Sequence, residues 1–250
     1  MSALRWPLIV GLCLLLAAPA SARELLAVGT NFPGVFEQQA DGQPGGLAVS
    51  VLREVYEPLG HHVHFDLYPW ARAQKMVEDG RADILIGPYK NAERETRFIF
   101  SAQPFYRDRI VFLHLLTRTV RWNGDYQQLL GRRIGVVRGW AYGTYFDNQR
   151  EQLELVTVES VENGLRMLRA GRLELLASNQ RNTLPLLAKL GLSQSVGQLL
   201  PQIDQQDGYF AFPRRIGVDP VRVDFDREFA LMVDQGKLAT LAAKWQVEVP

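Results

Sequence analysis

Trp70 and Arg94 bracket a stretch whose residue types suit a small carboxylate. Such a ligand needs a flat aromatic face and a guanidinium that can form two parallel N–H···O bonds. Trp70 follows Pro69 near the end of an expected strand, where it is either a core tryptophan or a stacking face. Arg94 follows Asn91, a residue type that caps helices. It belongs either to an exposed charged face with Lys90, Glu93, Glu95 and Arg97, or to a clamp. Arg72 stands in the first turn of the expected helix, opposing its dipole at a cost of ~0.3–1 kcal/mol. A bound anion would turn that cost into a gain. Further on, Gly139-Trp140-Ala141-Tyr142-Gly143 follows a strand, and its backbone amides at an expected helix start suit an anion. The absence of Gly-Lys-Ser/Thr and of G-x-G-x-x-G argues against a nucleotide there.

Other chemistries find less support. His62, His64 and Asp66 share one strand face and would supply three metal ligands, but successive same-face positions are also a common solvated face. No G-x-S-x-G motif occurs, the single cysteine is Cys13 in the N-terminal segment, and His114 in an apolar run reads as a core residue. Neither a metal nor a cofactor is expected.

The elements that must position these residues alternate between strand and helix, which predicts an α/β fold with largely parallel sheets. Strands are expected at 24–30, 62–67, 83–87, 133–138, 153–158 and 173–177. Leu47, Val51, Leu52, Val55 and Leu59 recur at helical spacing, and Gly60 ends that helix. Further helices are expected at 71–79, stopped by Gly80, and after the Ser160 cap as far as Gly171. Three more are expected at 183–190, 221–235 and 237–245, and 31–46 reads as a loop. Two β-rich crossings, near 108–117 and 205–212, would join two lobes and leave a cleft between them. The expected division is residues 23–112 plus 208–250 for one lobe and 113–207 for the other.

Residues 1–22 read as a cleavable signal peptide: Arg5, an apolar run from Leu8 to Ala18, and Ala20-Ser21-Ala22 as the cleavage site. That run is shorter than the ~20 residues a membrane span needs. Leu12 before Cys13 disfavours a lipoprotein signal, so an exported, unlipidated, periplasmic protein is expected. Acidic and basic residues number 27 and 28, without blocks of like charge, which argues against nucleic acid or a membrane surface as partner. With 47% hydrophobic residues, the chain can bury one large core or two modest ones.

In this order the residues resemble the family-3 extracellular solute-binding proteins, the polar amino-acid binders of ABC uptake systems with the two-lobed type II periplasmic fold. The resemblance spans about 24–247. It rests on Trp70, Ala82-Asp83-Ile84-Leu85-Ile86, Asn91-Ala92-Glu93-Arg94, Phe100-Ser101, Pro104-Phe105-Tyr106, the 131–139 segment and Ala170-Gly171-Arg172-Leu173-Glu174. It implies that Trp70 stacks on the ligand and that Arg94 binds its carboxylate. Thr30 and Asn31 would form the polar loop, Gly87 and Tyr89 would supply backbone donors, and Gly139, Trp140 and Ala141 would form the second-lobe anion turn. Asn179 stands where the family usually keeps an acid for the ligand's ammonium, and a bond to a neutral amide is about half as strong. Tyr89 and Trp140 replace a small hydroxyl residue and a threonine. The implied function is capture of a small carboxylate, such as an amino acid or derivative, by a monomer that serves an ABC permease or a sensor protein. Some relatives resemble cyclohexadienyl dehydratases, so an enzyme on the same scaffold is the alternative.

Overall fold

The computed structural model describes residues 22–214 and 219–250. The expected signal peptide, apart from Ala22, lies outside the described residues. In chain order the first wing begins with strand β1 (Glu24–Gly29), a minimal hairpin of β2 (Glu37–Gln38) and β3 (Pro44–Gly45), and helix α1 (Leu47–Tyr56). It continues through β4 (His62–Leu67), α2 (Trp70–Glu78), β5 (Ile84–Tyr89), α3 (Ala92–Arg97) and β6 (Phe98–Phe100). The long strand β7 (Tyr106–Leu115) then carries the chain into the second wing: β8 (Ile134–Val137), α4 (Thr144–Asn148), β9 (Leu155–Val158), α5 (Val161–Arg169), β10 (Leu175–Asn179), α6 (Gln180–Lys189) and β11 (Val196–Gln198). Strand β12 (Asp204–Pro213) returns, and helices α7 (Pro220–Asp234) and α8 (Lys237–Trp245) end the chain.

Patterning explains these elements. The apolar spacing in α1 buries Leu47, Val51, Leu52 and Val55, and its helical path runs on through a tighter turn at Glu57–Leu59 to Gly60. Strand β5 is buried at all six positions, as expected for a strand covered on both faces. Ser160 caps α5 by accepting the Asn163 N–H at 3.1 Å.

One curled sheet runs in the order β4-β1-β5-β12-β7-β10-β8-β9, with β6 on β12 and β11 on β7. Its outer strands pair in parallel: β1 with β4 and β5, and β8 with β9 and β10. Strands β7 and β12 lie antiparallel in the middle, from Asp204 opposite Ile110 to Gly208 opposite Tyr106. The fold is thus two-lobed α/β, with two parallel wings bridged by this antiparallel pair. The first crossing strand starts two residues earlier than expected and the second is slightly longer, and β6 and β11 appear within stretches that carried no expected strand. His114 is half-buried, with Nδ1 against the Arg118 carbonyl at 3.2 Å, which corrects its expected place in the core.

The carboxyl ends of the parallel strands converge on one cleft. Phe32 follows β1, Trp70 follows β4, Gly87 and Tyr89 close β5, Trp140 follows β8, and Asn179 ends β10. In α/β sheets this is the edge where ligands bind.

Candidate functional site

Arg94 lies at the centre of that cleft and is only 3% exposed. Helix α3 places it: the Asn91 side chain accepts the Arg94 N–H at 2.8 Å and fixes the first turn. Its guanidinium donates to the Tyr89 carbonyl at 2.7 Å on its own wing and to the Gly139 carbonyl at 2.9 Å on the other. The guanidinium carbon stands 5.7 Å from the Trp70 ring centroid. Among the described residues no carboxylate forms an ion pair with Arg94. Burial pulls its pKa below the ordinary arginine value.

Trp70 begins α2 and donates its indole N–H to the same Gly139 carbonyl at 3.1 Å. Phe32 packs edge-on against it with centroids 5.6 Å apart, and Trp140 lies 6.2 Å from Phe32. Together with Gly87, Tyr89, Arg94, Ala141 and Asn179, these rings line a small half-open cavity of about 10 Å³. Trp70 and Trp140 also wall an outer groove of about 490 Å³, which Thr30 and Asn31 border on one side and Glu159 and Ser160 on the other.

Tyr89 and Asn179 tie the back wall together. The Asn179 side-chain oxygen accepts the Asn182 N–H at 2.9 Å as the cap of α6, and its amide nitrogen donates to the Tyr89 hydroxyl at 3.0 Å. That hydroxyl donates in turn to Asp108 Oδ2 at 2.6 Å. Burial, and then the Asp108 charge, push the Tyr89 phenol well above its ordinary pKa. Arg181 grips Asp108 with two bonds, Nε to Oδ1 at 2.9 Å and Nη2 to Oδ2 at 2.7 Å. Its other arm donates to the Pro33 carbonyl at 2.6 Å. Burial opposes the Arg181 charge, but Asp108 overcomes this and holds the guanidinium above its usual range.

Trp70, Gly87, Tyr89, Arg94, Trp140, Ala141 and Asn179 therefore meet around the inner cavity. Asn31 is exposed and reaches only the outer groove. Arg72 is exposed and stacks on Tyr68 at 4.5 Å from the ring centroid, without bordering either space. The turn after β8 also differs from the expectation. Helix α4 starts at Thr144, and the Trp140 and Tyr142 amides are already bonded to the Val137 carbonyl and to Asp147. The turn presents the Gly139 carbonyl, an acceptor, towards Arg94 and Trp70. Trp140 and Ala141 line the cavity, and the helix start expected at this turn lies instead at Thr144.

Asp108, Arg181 and Phe32 escaped sequence reasoning, and Tyr106 entered it only as a marker of the resemblance. Period-two alternation in β7 does place Asp108 on the inward face between Tyr106 and Ile110. Arg181, near the start of α6, opposes its helix dipole just as Arg72 does in α2.

Comparison with known proteins agrees with this architecture. The family model for bacterial extracellular solute-binding proteins, family 3, matches residues 26–248. The chain is similar in structure to a histidine kinase sensor domain with similarity to periplasmic binding proteins, at 21% identity and TM-score 0.81, covering 92% of this chain and 99% of that one. It also resembles a putative L-cystine ABC transporter protein from Listeria monocytogenes, at 18% identity and TM-score 0.73, covering 90% and 96%. A third similar structure is an ABC uptake transporter substrate-binding protein from Streptococcus pneumoniae with bound histidine, at 16% identity and TM-score 0.73, covering 89% and 92%. At these identities the likenesses speak for the fold alone. The comparison with curated proteins finds no match. With the family model covering nearly all the described chain, the protein belongs to the family-3 bacterial extracellular solute-binding proteins.

Proposed function

We propose that this protein captures a small carboxylate-bearing solute between its lobes, in the periplasm, and delivers it to the membrane permease of an ABC transporter. The observation that carries this reading is Arg94: a guanidinium 3% exposed, bonded only to backbone carbonyls, beneath the Trp70 ring and on the wall of the cleft. A desolvated cation satisfied only by dipoles gains most from a carboxylate, and the planar fork favours two parallel bonds. Trp70 supplies the flat face for the solute's body. Residues 23–112 plus 208–250 and residues 113–207 form the two closing lobes of this reading, with export by the N-terminal signal.

Sensing is the second reading, favoured by the likeness to a histidine kinase sensor domain over 99% of that chain. In that case closure would be reported to a membrane receptor. A dehydratase-like enzyme would need an acid in the cleft; among the described residues no Asp, Glu or His lines the inner cavity, while Glu159 and Glu162 border the outer groove.

Isothermal titration calorimetry with amino acids and simple carboxylates tests the assignment. Arg94→Ala is expected to weaken binding by roughly 100-fold, the effect of losing two charge-assisted bonds. Its circular dichroism should stay that of the native fold. Unchanged affinity would overturn the assignment.

A further inference from the structure

We infer that the inner cavity selects carboxylates that lack an ammonium group, because the protein's own Arg181 takes the acidic partner that an amine would need. This inference deepens the proposed function and rests on its reading of Arg94.

The eight cavity-lining residues are Phe32, Trp70, Gly87, Tyr89, Arg94, Trp140, Ala141 and Asn179, and Arg94 is the one charged member. An ammonium brought into this space would leave water, stand near a buried guanidinium, and meet no lining carboxylate. Like charges in a desolvated site repel strongly.

The nearest layer offers no relief. Asp108, with a side chain only 1% exposed, stands behind Tyr89, but both its oxygens accept from Arg181 and one also accepts from Tyr89. Arg181 is itself held by the Pro33 carbonyl and lies 5.1 Å from the Tyr106 ring centroid. The Asn179 oxygen is committed to the cap of α6 and its amide nitrogen already donates to the Tyr89 hydroxyl, which leaves one further N–H and no free acceptor. The Tyr89 hydroxyl donates to Asp108 and accepts from Asn179. The polar side-chain atoms at the back wall are thus spent or are donors. Donors suit an acceptor beside the carboxylate, such as a keto or hydroxyl oxygen, and oppose three N–H donors on a cation.

Matched pairs test the idea by calorimetry: 4-methyl-2-oxopentanoate against leucine and 3-phenylpropionate against phenylalanine, with arginine and histidine added. The amine-free member of each pair is expected to bind at least tenfold more tightly. Asn179→Asp keeps an oxygen for the α6 cap and adds a negative charge at the cavity, so it should shift the preference at least tenfold towards the amino acid. If that variant does not fold, the wild-type pairs decide alone. Equal or tighter binding of the amino acids, lost in Arg94→Ala, would overturn this inference and leave the carboxylate reading intact. Failure of every compound to bind would overturn both.

Discussion

Arg94 is buried and Arg181 largely so, yet they do opposite work. Arg181 has a carboxylate partner and reinforces the junction between the wings, whereas Arg94 has only carbonyls among the described residues and, in the proposed reading, meets the solute's carboxylate. Removing the charge of Asp108 should therefore damage the fold, because it strands a desolvated guanidinium. Asp108→Asn is expected to cost ~3–5 kcal/mol in urea denaturation. The double change Asp108→Leu with Arg181→Met should cost clearly less than the two single changes summed, and additive costs would argue against coupling. The nearness of Trp70 and Arg94 was legible in sequence because they are joined by a short helix and one strand. The Asp108–Arg181 pair was not, since its members lie 73 residues apart. Arg72 shows the limit of local reasoning: the dipole argument applies equally to Arg72 and Arg181, and only tertiary packing decides which one is buried.

At the scale of elements, the cleft exists because strand ends on both wings stop at the same edge. Gly87 illustrates how tightly that edge is built. Its φ of +85° lies in the left-handed region, and a Cβ there would come within 3.2 Å of the Tyr106 hydroxyl and 3.3 Å of Phe32. The hydroxyl of Tyr106 donates to the Gly87 carbonyl at 2.7 Å. Gly87→Ala should lower stability by about 1–2 kcal/mol from backbone strain, measured by thermal or chemical unfolding. It should also weaken carboxylate binding, because the strand end that carries Tyr89 must shift. Helix stops at Gly60, Gly80 and Gly171 could be read from sequence because left-handed closure is a local preference. The loop at 139–143 could not. Tyr142 is pulled fully into the core, where its hydroxyl accepts the Val137 N–H at 2.7 Å, and the helix starts only at Thr144. Strands β6 and β11 are only three residues each, too short to show a period.

For the whole molecule, buried tyrosines, Tyr126 among them, set an alkaline limit. The phenols of Tyr56, Tyr89, Tyr106 and Tyr142 are all raised, chiefly by burial. Below ~pH 10 both folded and unfolded chains keep these protons, so their contribution is constant. Above that pH the unfolded chain ionises first, and stability should fall as pH rises. Urea midpoints at pH 9 and pH 11 check the direction, and phenolate absorbance near 295 nm should jump on unfolding at pH 11. The same packed interior bears on access. A space of about 10 Å³ holds roughly one water, so in the proposed reading the wings part to admit a solute. Labels on Asn31→Cys and Glu159→Cys, on opposite banks of the outer groove, would follow that motion, and Cys13 is the only native thiol in the sequence. Here the shared acceptor at Gly139 has a consequence. One oxygen on the second wing receives both the aromatic and the cationic half of the clamp, so a small withdrawal of that turn releases both together. Half-open intermediates would keep neither bond and gain nothing in exchange. The labels should then report two discrete distance populations whose ratio shifts with carboxylate concentration, and a single peak sliding smoothly would contradict an all-or-none latch.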